Sequence, residues 1–345
     1  MQYTKLPGTD INISRICLGT MTFGQQNTES DGHAQIDFAL EKGINFIDTA
    51  EMYPVPAREK TYGRTEEIIG SWIKKAGKRN DIVLASKIAG ANRGLEYIRE
   101  DLRYNPAAIQ LSVEKSLKRL QTDYIDLYQL HWPERKSNMF GQLGFKIQDD
   151  CWEDNTQEIL ETMQSLVQQG KIRQFGVSNE TPWGLLRFLD ESKKHDLPKA
   201  VTIQNAYSLL NRTFEIALTE TIYRENVGML AYSPLAFGLL SGKFRNGSKP
   251  ADARLTLFPN FTRYNSEEAR KATDLYYGIA AANGLTLVEL SLGFVLAQPF
   301  LSSMIIGATT LGQLGENIKT IGISLSDEVL KAIDGVHKMF PNPAP

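Results

Sequence analysis

Eight times along the chain a short apolar, β-branched run gives way to a longer segment of helical period, and that alternation restricts the fold most. "RICLGT" (15–20) precedes a helix over about 30–42, "INFIDTA" (44–50) precedes "TEEIIGSWIKKAG", and "IVLASKI" (82–88) precedes "PAAIQLSVEKSLKRL". "YIDLYQLHW" (124–132) is followed, after a long loop, by "TQEILETMQSLVQQG", and "IRQFGVSN" (172–179) by "TPWGLLRFLDESKK". "AVTIQNAY" (200–207), "VGMLAYSPL" (227–235) and "SSMIIGATT" (302–310) lead to helical segments at 214–226, near 266–283 and from 311. Runs without polar alternation are strands buried on both faces, and repeated strand–helix order makes them parallel. Eight units in 345 residues predict one domain, 1–345, built as an α/β (β/α)8 barrel. A doubly wound open sheet is the rival, and "LGTMTFGQQ" after the first strand lacks its GxGxxG fingerprint.

Additions to the barrel are also legible. "YTKLPGTDINISR" predicts an N-terminal hairpin around Pro7-Gly8 that plugs the barrel floor. Long loops follow His131 and Leu235, and loops of that length are often functional. Further helices are expected near 286–298 and 326–340.

Composition narrows the function. A net charge of −2 gives no reason to expect nucleic acid or an anionic membrane as partner. Two cysteines, Cys17 and Cys151, stand in no CxxC spacing, which suits a reducing cytoplasm. His33, His131, His195 and His337 are scattered, so no metal site is expected. No leader pattern opens the chain, and no apolar run approaches the roughly 20 residues of a membrane span.

Polar residues recur at one end of successive apolar strands. Asp48 ends the second, Lys87 the third, His131 the fourth, Ser178 and Asn179 the fifth, and Gln204 and Asn205 lie late in the sixth. Taken singly, Asp48 reads as a cap, Lys87 as a solvated strand end, and His131 as a core histidine. Together, with Tyr53 just beyond Asp48, they converge on the C-terminal mouth where barrels of this kind carry their chemistry. A free phenol ionises near pH 10, and a nearby ammonium is expected to lower that value. A carboxylate would orient the lysine and a histidine would bond a substrate carbonyl, which makes a general acid for carbonyl reduction.

With these residues in view, the chain resembles the aldo-keto reductases over essentially its whole length. "GINFIDTAEMYP" is similar to the family's GxxxxDTAxxYG signature, and "YIDLYQLHWP" to its DYxDLYxxHxP block. The resemblance implies Asp48, Tyr53, Lys87 and His131 as a catalytic tetrad with NADPH as hydride donor. "YPVPAREKTYGRTEEIIG" departs from the pattern by an insertion of about nine residues after Tyr53, so the pocket rim differs. "FGVSN" and "TIQN" resemble the nicotinamide contacts, implying Ser178, Asn179 and Gln204. "AYSPLAFGLLSGKF" resembles the block after strand seven, with Tyr232 stacking on the nicotinamide. Ser233, Pro234, Leu235, Ala236, Gly238, Leu240, Gly242 and Lys243 then lie along the pyrophosphate. "GATTLGQLGENI" opens a helix whose N-terminus suits a phosphate. By resemblance Gly307, Thr309, Thr310 and Gln313 lie near the 2′-phosphate, and Glu316 and Asn317 near the adenine. Many family members carry a basic residue where Gln313 stands; here Lys243 and Arg254 are expected to supply the charge, as in the branch similar to potassium-channel β-subunits. "AEMYPVP", "IQNAYSLLNR" and "PNPAP" carry a more detailed likeness to the bacterial Tas-type members.

The resemblance implies an NADPH-dependent reductase of small-molecule aldehydes or ketones. It also allows a nicotinamide-binding redox sensor or regulatory subunit with slow turnover. A metal-dependent barrel hydrolase is the weaker alternative. Phe23, Met52, Trp132 and Phe140 are candidate pocket-lining residues; substrate identity and oligomeric state stay open at this level.

Overall fold

The computed structural model describes residues 1–145 and 152–345. Cys151 and residues 146–150 of the long loop after His131 lie outside them. Two short strands, β1 (Tyr3–Lys5) and β2 (Asn12–Ser14), pair antiparallel. Eight more form a closed parallel barrel: β3 (Ile16–Gly19), β4 (Phe46–Asp48), β5 (Val83–Ile88), β6 (Ile125–Leu130), β7 (Ile172–Ser178), β8 (Ala200–Ala206), β9 (Gly228–Tyr232) and β10 (Leu301–Ile306). They follow chain order around the barrel, and β10 closes it against β3. All eight segments expected to be strands are strands.

The helices are α1 (Glu29–Glu41), α2 (Arg64–Ala76), α3 (Pro106–Leu120), α4 (Thr156–Gln168), α5 (Pro182–His195), α6 (Leu218–Glu225), the short α7 (Arg254–Leu257), α8 (Glu267–Ala282), α9 (Leu287–Leu296), α10 (Leu311–Lys319) and α11 (Asp327–Met339). Local chemistry sets their starts. Thr28 and Asp31 close a capping box on α1, while Asn105 and Thr181 cap α3 and α5 directly before a proline at the first helical position. Ile68, Ile69, Trp72 and Ile73 give α2 one apolar face toward the barrel. Gly70 on α2 has no alternative, because a Cβ there would collide with the Arg119 carbonyl and the Leu120 backbone. The single helix expected over 214–226 is instead a 3-10 turn (Thr213–Glu215) and α6, broken at the non-helical Ala217. There Arg212 and Tyr207 both bond the Glu215 carboxylate, drawing the first turn out of line with the rest.

Two apolar layers result. One fills the space between barrel and helices. The other lies inside the barrel, where Leu6, Ile11 and Ile13 from the hairpin pack on Phe46, Val83, Leu127, Val201 and Leu230. The floor is therefore plugged as expected, with Gly8 (φ 72) making the turn. Among the described residues no single helix is long and apolar enough to cross a membrane. Only α8 and α9 together would pass by length and composition, and they are bent 94° apart.

Candidate active site

At the mouth, the strand ends open into a cleft of about 550 Å³. Register explains what stands there. Lys87 lies near the end of β5, and Asp48, ending β4, pairs with Ala85 beside it. The two side chains meet: Lys87 Nζ donates to Asp48 Oδ2 at 2.7 Å and to the Thr49 carbonyl at 2.7 Å, with both side chains almost fully buried. Gln204 Nε2 donates to the other Asp48 oxygen at 2.8 Å, so this carboxylate is bonded on both sides. Beyond Asp48 the chain keeps pairing with β5 through Thr49 and Glu51 amides, then turns at Ala50–Tyr53. That turn brings Tyr53 back over the ion pair, its ring 5.1 Å from Lys87 Nζ. His131, just past β6, meets Tyr53 edge to face at 5.8 Å between ring centroids. Asp48, Tyr53, Lys87 and His131 thus converge.

The electrostatics differ from the expectation in one respect. Lys87 was expected to lower the Tyr53 phenol. Burial, then the Asp48 charge and the Tyr232 hydroxyl, instead push it well above its ordinary value, and only Arg254 pulls it back. The Lys87 ammonium is bonded to Asp48 and the Thr49 carbonyl, and it is burial and the Asp48 charge that set the phenol's direction. The phenol is held protonated. Burial, with the Lys87 and Arg93 charges, pushes His131 well below its usual range, so the ring is neutral. Its Nδ1 is buried and has no hydrogen-bond partner among the described residues.

The strand-end amides form a chain of bonds. Ser178 Oγ donates to the Gln204 carbonyl (2.8 Å), Asn179 Nδ2 to the His131 carbonyl (2.9 Å), and Tyr232 OH to Asn179 Oδ1 (2.6 Å). Asn205 Nδ2 instead bonds the Glu180 carbonyl. Around the cleft stand Ser233, Pro234, Leu235, Gly238, Lys243, Arg254, Gly307, Thr309, Gln313, Glu316 and Asn317. The loop after β9 holds Ser233, Ala236 and Phe237 at positive φ (55°, 48°, 54°), costly for residues with a Cβ. Lys243 and Arg254 make no ion pair with a carboxylate among the described residues, and burial draws Arg254 down to about 10.

Several of the residues expected along the cofactor are engaged within the protein. Ala236 and Leu240 are fully buried, and their amides donate to the Ser233 and Leu235 carbonyls. Gly242 (φ 81) is a turn whose amide bonds the Leu239 carbonyl, and Thr310 is exposed, its hydroxyl accepting from the Gln313 amide to cap α10. Gln313 Oε1 is taken by the Thr309 amide and hydroxyl. Among the apolar candidates, Met52, Trp132 and Phe140 line the cleft, whereas Phe23 is core.

Sequence reasoning missed Glu51, Arg93 and Arg263. Glu51 is 1% exposed and accepts from Ala89 N–H (2.5 Å), Arg99 (2.6 Å) and Ser112 (2.6 Å), locking the turn that carries Tyr53. A carboxylate inside the apolar "FIDTAEM" was the available signal. Arg263 bonds the Pro345 carbonyl at 2.7 Å and reaches Tyr232 OH at 3.5 Å.

The comparisons agree with this geometry. The model of the aldo/keto reductase family matches residues 15–338. Protein tas of Escherichia coli is 49% identical over 346 residues, covering 100% of both chains. The uncharacterized oxidoreductase YrpG of Bacillus subtilis is 35% identical, over 99% of this chain and 97% of its own. The aldo-keto reductase YhdN of the same organism is 32% identical, over 97% and 93%. A closed eight-stranded barrel with these residues at its mouth, matched by the family along nearly its whole length, makes this chain an oxidoreductase of the aldo/keto reductase family.

Proposed function

We propose that this chain reduces aldehyde or ketone carbonyls to alcohols with NADPH, Tyr53 acting as general acid. The observation that carries the reading is the buried Asp48–Lys87 pair beneath Tyr53, with neutral His131 at its edge, opening on one cleft. His131 orients the carbonyl oxygen by a hydrogen bond. Tyr53, held protonated by burial, gives its proton to that oxygen as negative charge develops there. Lys87 then lies under the phenolate, and Asp48 with Gln204 fixes the ammonium in place.

The residues present fit a nicotinamide dinucleotide. The cleft runs from Tyr53 and His131 to the N-terminus of α10, and Lys243 and Arg254 stand in it without carboxylate partners among the described residues. Ser178, Asn179 and Gln204 would hold the nicotinamide end, Tyr232 would face its ring, and Lys243 and Arg254 would meet phosphate oxygens. When bound, this cofactor supplies the hydride. The expected partner is a small carbonyl compound, and the buried free Cys17 suits work in a reducing cytoplasm. A carbonyl panel followed by NADPH consumption tests the reading. Turnover of aldehydes supports it, whereas tight NADPH binding with no turnover of any carbonyl removes it.

A further inference from the structure

Arg93 sits on the loop after β5, and the backbone around it is fixed. Trp132 Nε1 donates to the Ala91 carbonyl at 3.0 Å, and Asn92 Nδ2 to the Glu134 carbonyl at 3.0 Å. Its guanidinium lies 4.4 Å from the Phe140 ring centroid and 5.6 Å from that of Trp132. Stacking on those faces holds the plane of the group but uses none of its five N–H donors. Arg93 is exposed at the rim of the cleft beside His131, and among the described residues no carboxylate pairs with it and no acceptor bonds it, so its donors face solvent and any molecule in the cleft. Arg263, by contrast, is already engaged by Pro345 and Tyr232.

Position separates Arg93 from the phosphate-facing cations. Around the closed barrel, β5 and β9 are four strands apart in either direction, so they lie diametrically opposite. Lys243 and Arg254 follow β9, and Arg93 follows β5. With Lys243 and Arg254 engaged by one dinucleotide, Arg93 is left free at the rim beside His131. Asp48 does not offset this charge, since Lys87 pairs it. The wall beside Arg93 is apolar: Met52, Trp132 and Phe140.

We infer that the substrates of this site carry a carboxylate or comparable anion on an apolar body, and that Arg93 selects them by pairing with that anion. The inference rests on the carbonyl-reductase reading for the identity of the reacting group, and on geometry alone for the anion. A planar fork with free donors matches a carboxylate by two parallel bonds.

The test compares para-carboxybenzaldehyde with its neutral methyl ester, for the full chain and for Arg93→Met and Arg93→Lys. The wild-type chain should favour the acid in kcat/KM by about tenfold or more, mainly through KM, and salt should weaken that preference. Arg93→Met should collapse the ratio by about tenfold, and Arg93→Lys should restore part of it. A loss of fold or of cleft packing would lower both substrates together and leave the ratio in place. Equal handling of acid and ester by the wild-type chain, or a ratio that Arg93→Met does not move, overturns the inference. Calorimetric titration of benzoate needs no turnover. Benzoate binding that Arg93→Met weakens about tenfold supports the anion site even where no aldehyde is reduced, an outcome that would defeat only the carbonyl-reductase reading. Benzoate binding that ignores Arg93 defeats the site itself.

Discussion

The two ends of this barrel are built by opposite rules. At the floor, Leu6, Ile11 and Ile13 fill the interior with hydrocarbon, and the backbone groups of the hairpin satisfy each other. At the mouth, a buried ammonium and carboxylate sit among buried polar strand residues such as Gln129, Ser178 and Gln204, and several arginines lack carboxylate partners among the described residues. The floor gains stability from area removed from water. A buried ion pair is at best weakly stabilising, yet removing one partner strands the other. The contrast assigns stability to one end and chemistry to the other.

Five experiments press on that division. The largest effect is expected from Tyr53→Phe, which removes one hydroxyl. Aldehyde reduction should fall by about 10² to 10⁴ while NADPH affinity and melting temperature stay near wild type. Reduction at the wild-type rate in a stopped assay would remove Tyr53 from the mechanism. Lys87→Met should cost both properties, because it leaves Asp48 buried and unpaired: about 3–5 kcal/mol of stability in denaturant titration, together with most turnover. A variant as stable as wild type would show that the pair is not as dry as its burial indicates.

At the floor, Leu6→Ala should lower stability by about 2–5 kcal/mol and leave KM for the carbonyl and for NADPH unchanged. A changed KM there would show that the two ends are coupled. Arg254→Met should weaken NADPH more than NADH if the guanidinium meets the 2′-phosphate, and both alike if it meets the pyrophosphate; isothermal titration distinguishes the two. Unchanged affinity for both would place Arg254 outside the cofactor site.

The smallest effect concerns pH. The folded His131 lies well below its unfolded value, so the unfolded chain binds the extra proton first. Its contribution is present above about pH 6.5 and declines as pH falls below it, by at most about 1.4 kcal/mol per pH unit. His131→Gln should show a flatter loss of melting temperature between neutral and mildly acidic pH. Parallel curves would mean that the imidazole is hydrated in the folded protein.

The fold was legible because the strands are short, apolar and evenly interleaved with helices, and even the floor hairpin was announced by Pro7-Gly8. Asp48, Lys87 and His131 were legible because polar residues at equivalent ends of neighbouring strands have one place to meet. What stayed hidden depends on distances between segments far apart in sequence. The direction of the Tyr53 phenol depends on how deeply it is buried and how close it lies to Asp48. Ala236 and Leu240 match the motif but turn inward, because the loop after β9 spends their amides on its own carbonyls. Arg93 lies on an exposed loop outside any motif, and only the aromatic faces of Trp132 and Phe140 show that it turns toward the cleft.

The sealed floor has one more effect. A vessel with a single opening exchanges its contents only through that opening. The Lys87 ammonium, enclosed by strand ends and backed by hydrocarbon, can trade its protons with bulk water only by way of the mouth. Any molecule seated there is a stopper. The lifetime of those protons against deuterium is therefore a clock for occupancy, one that runs without turnover and records when the door is shut.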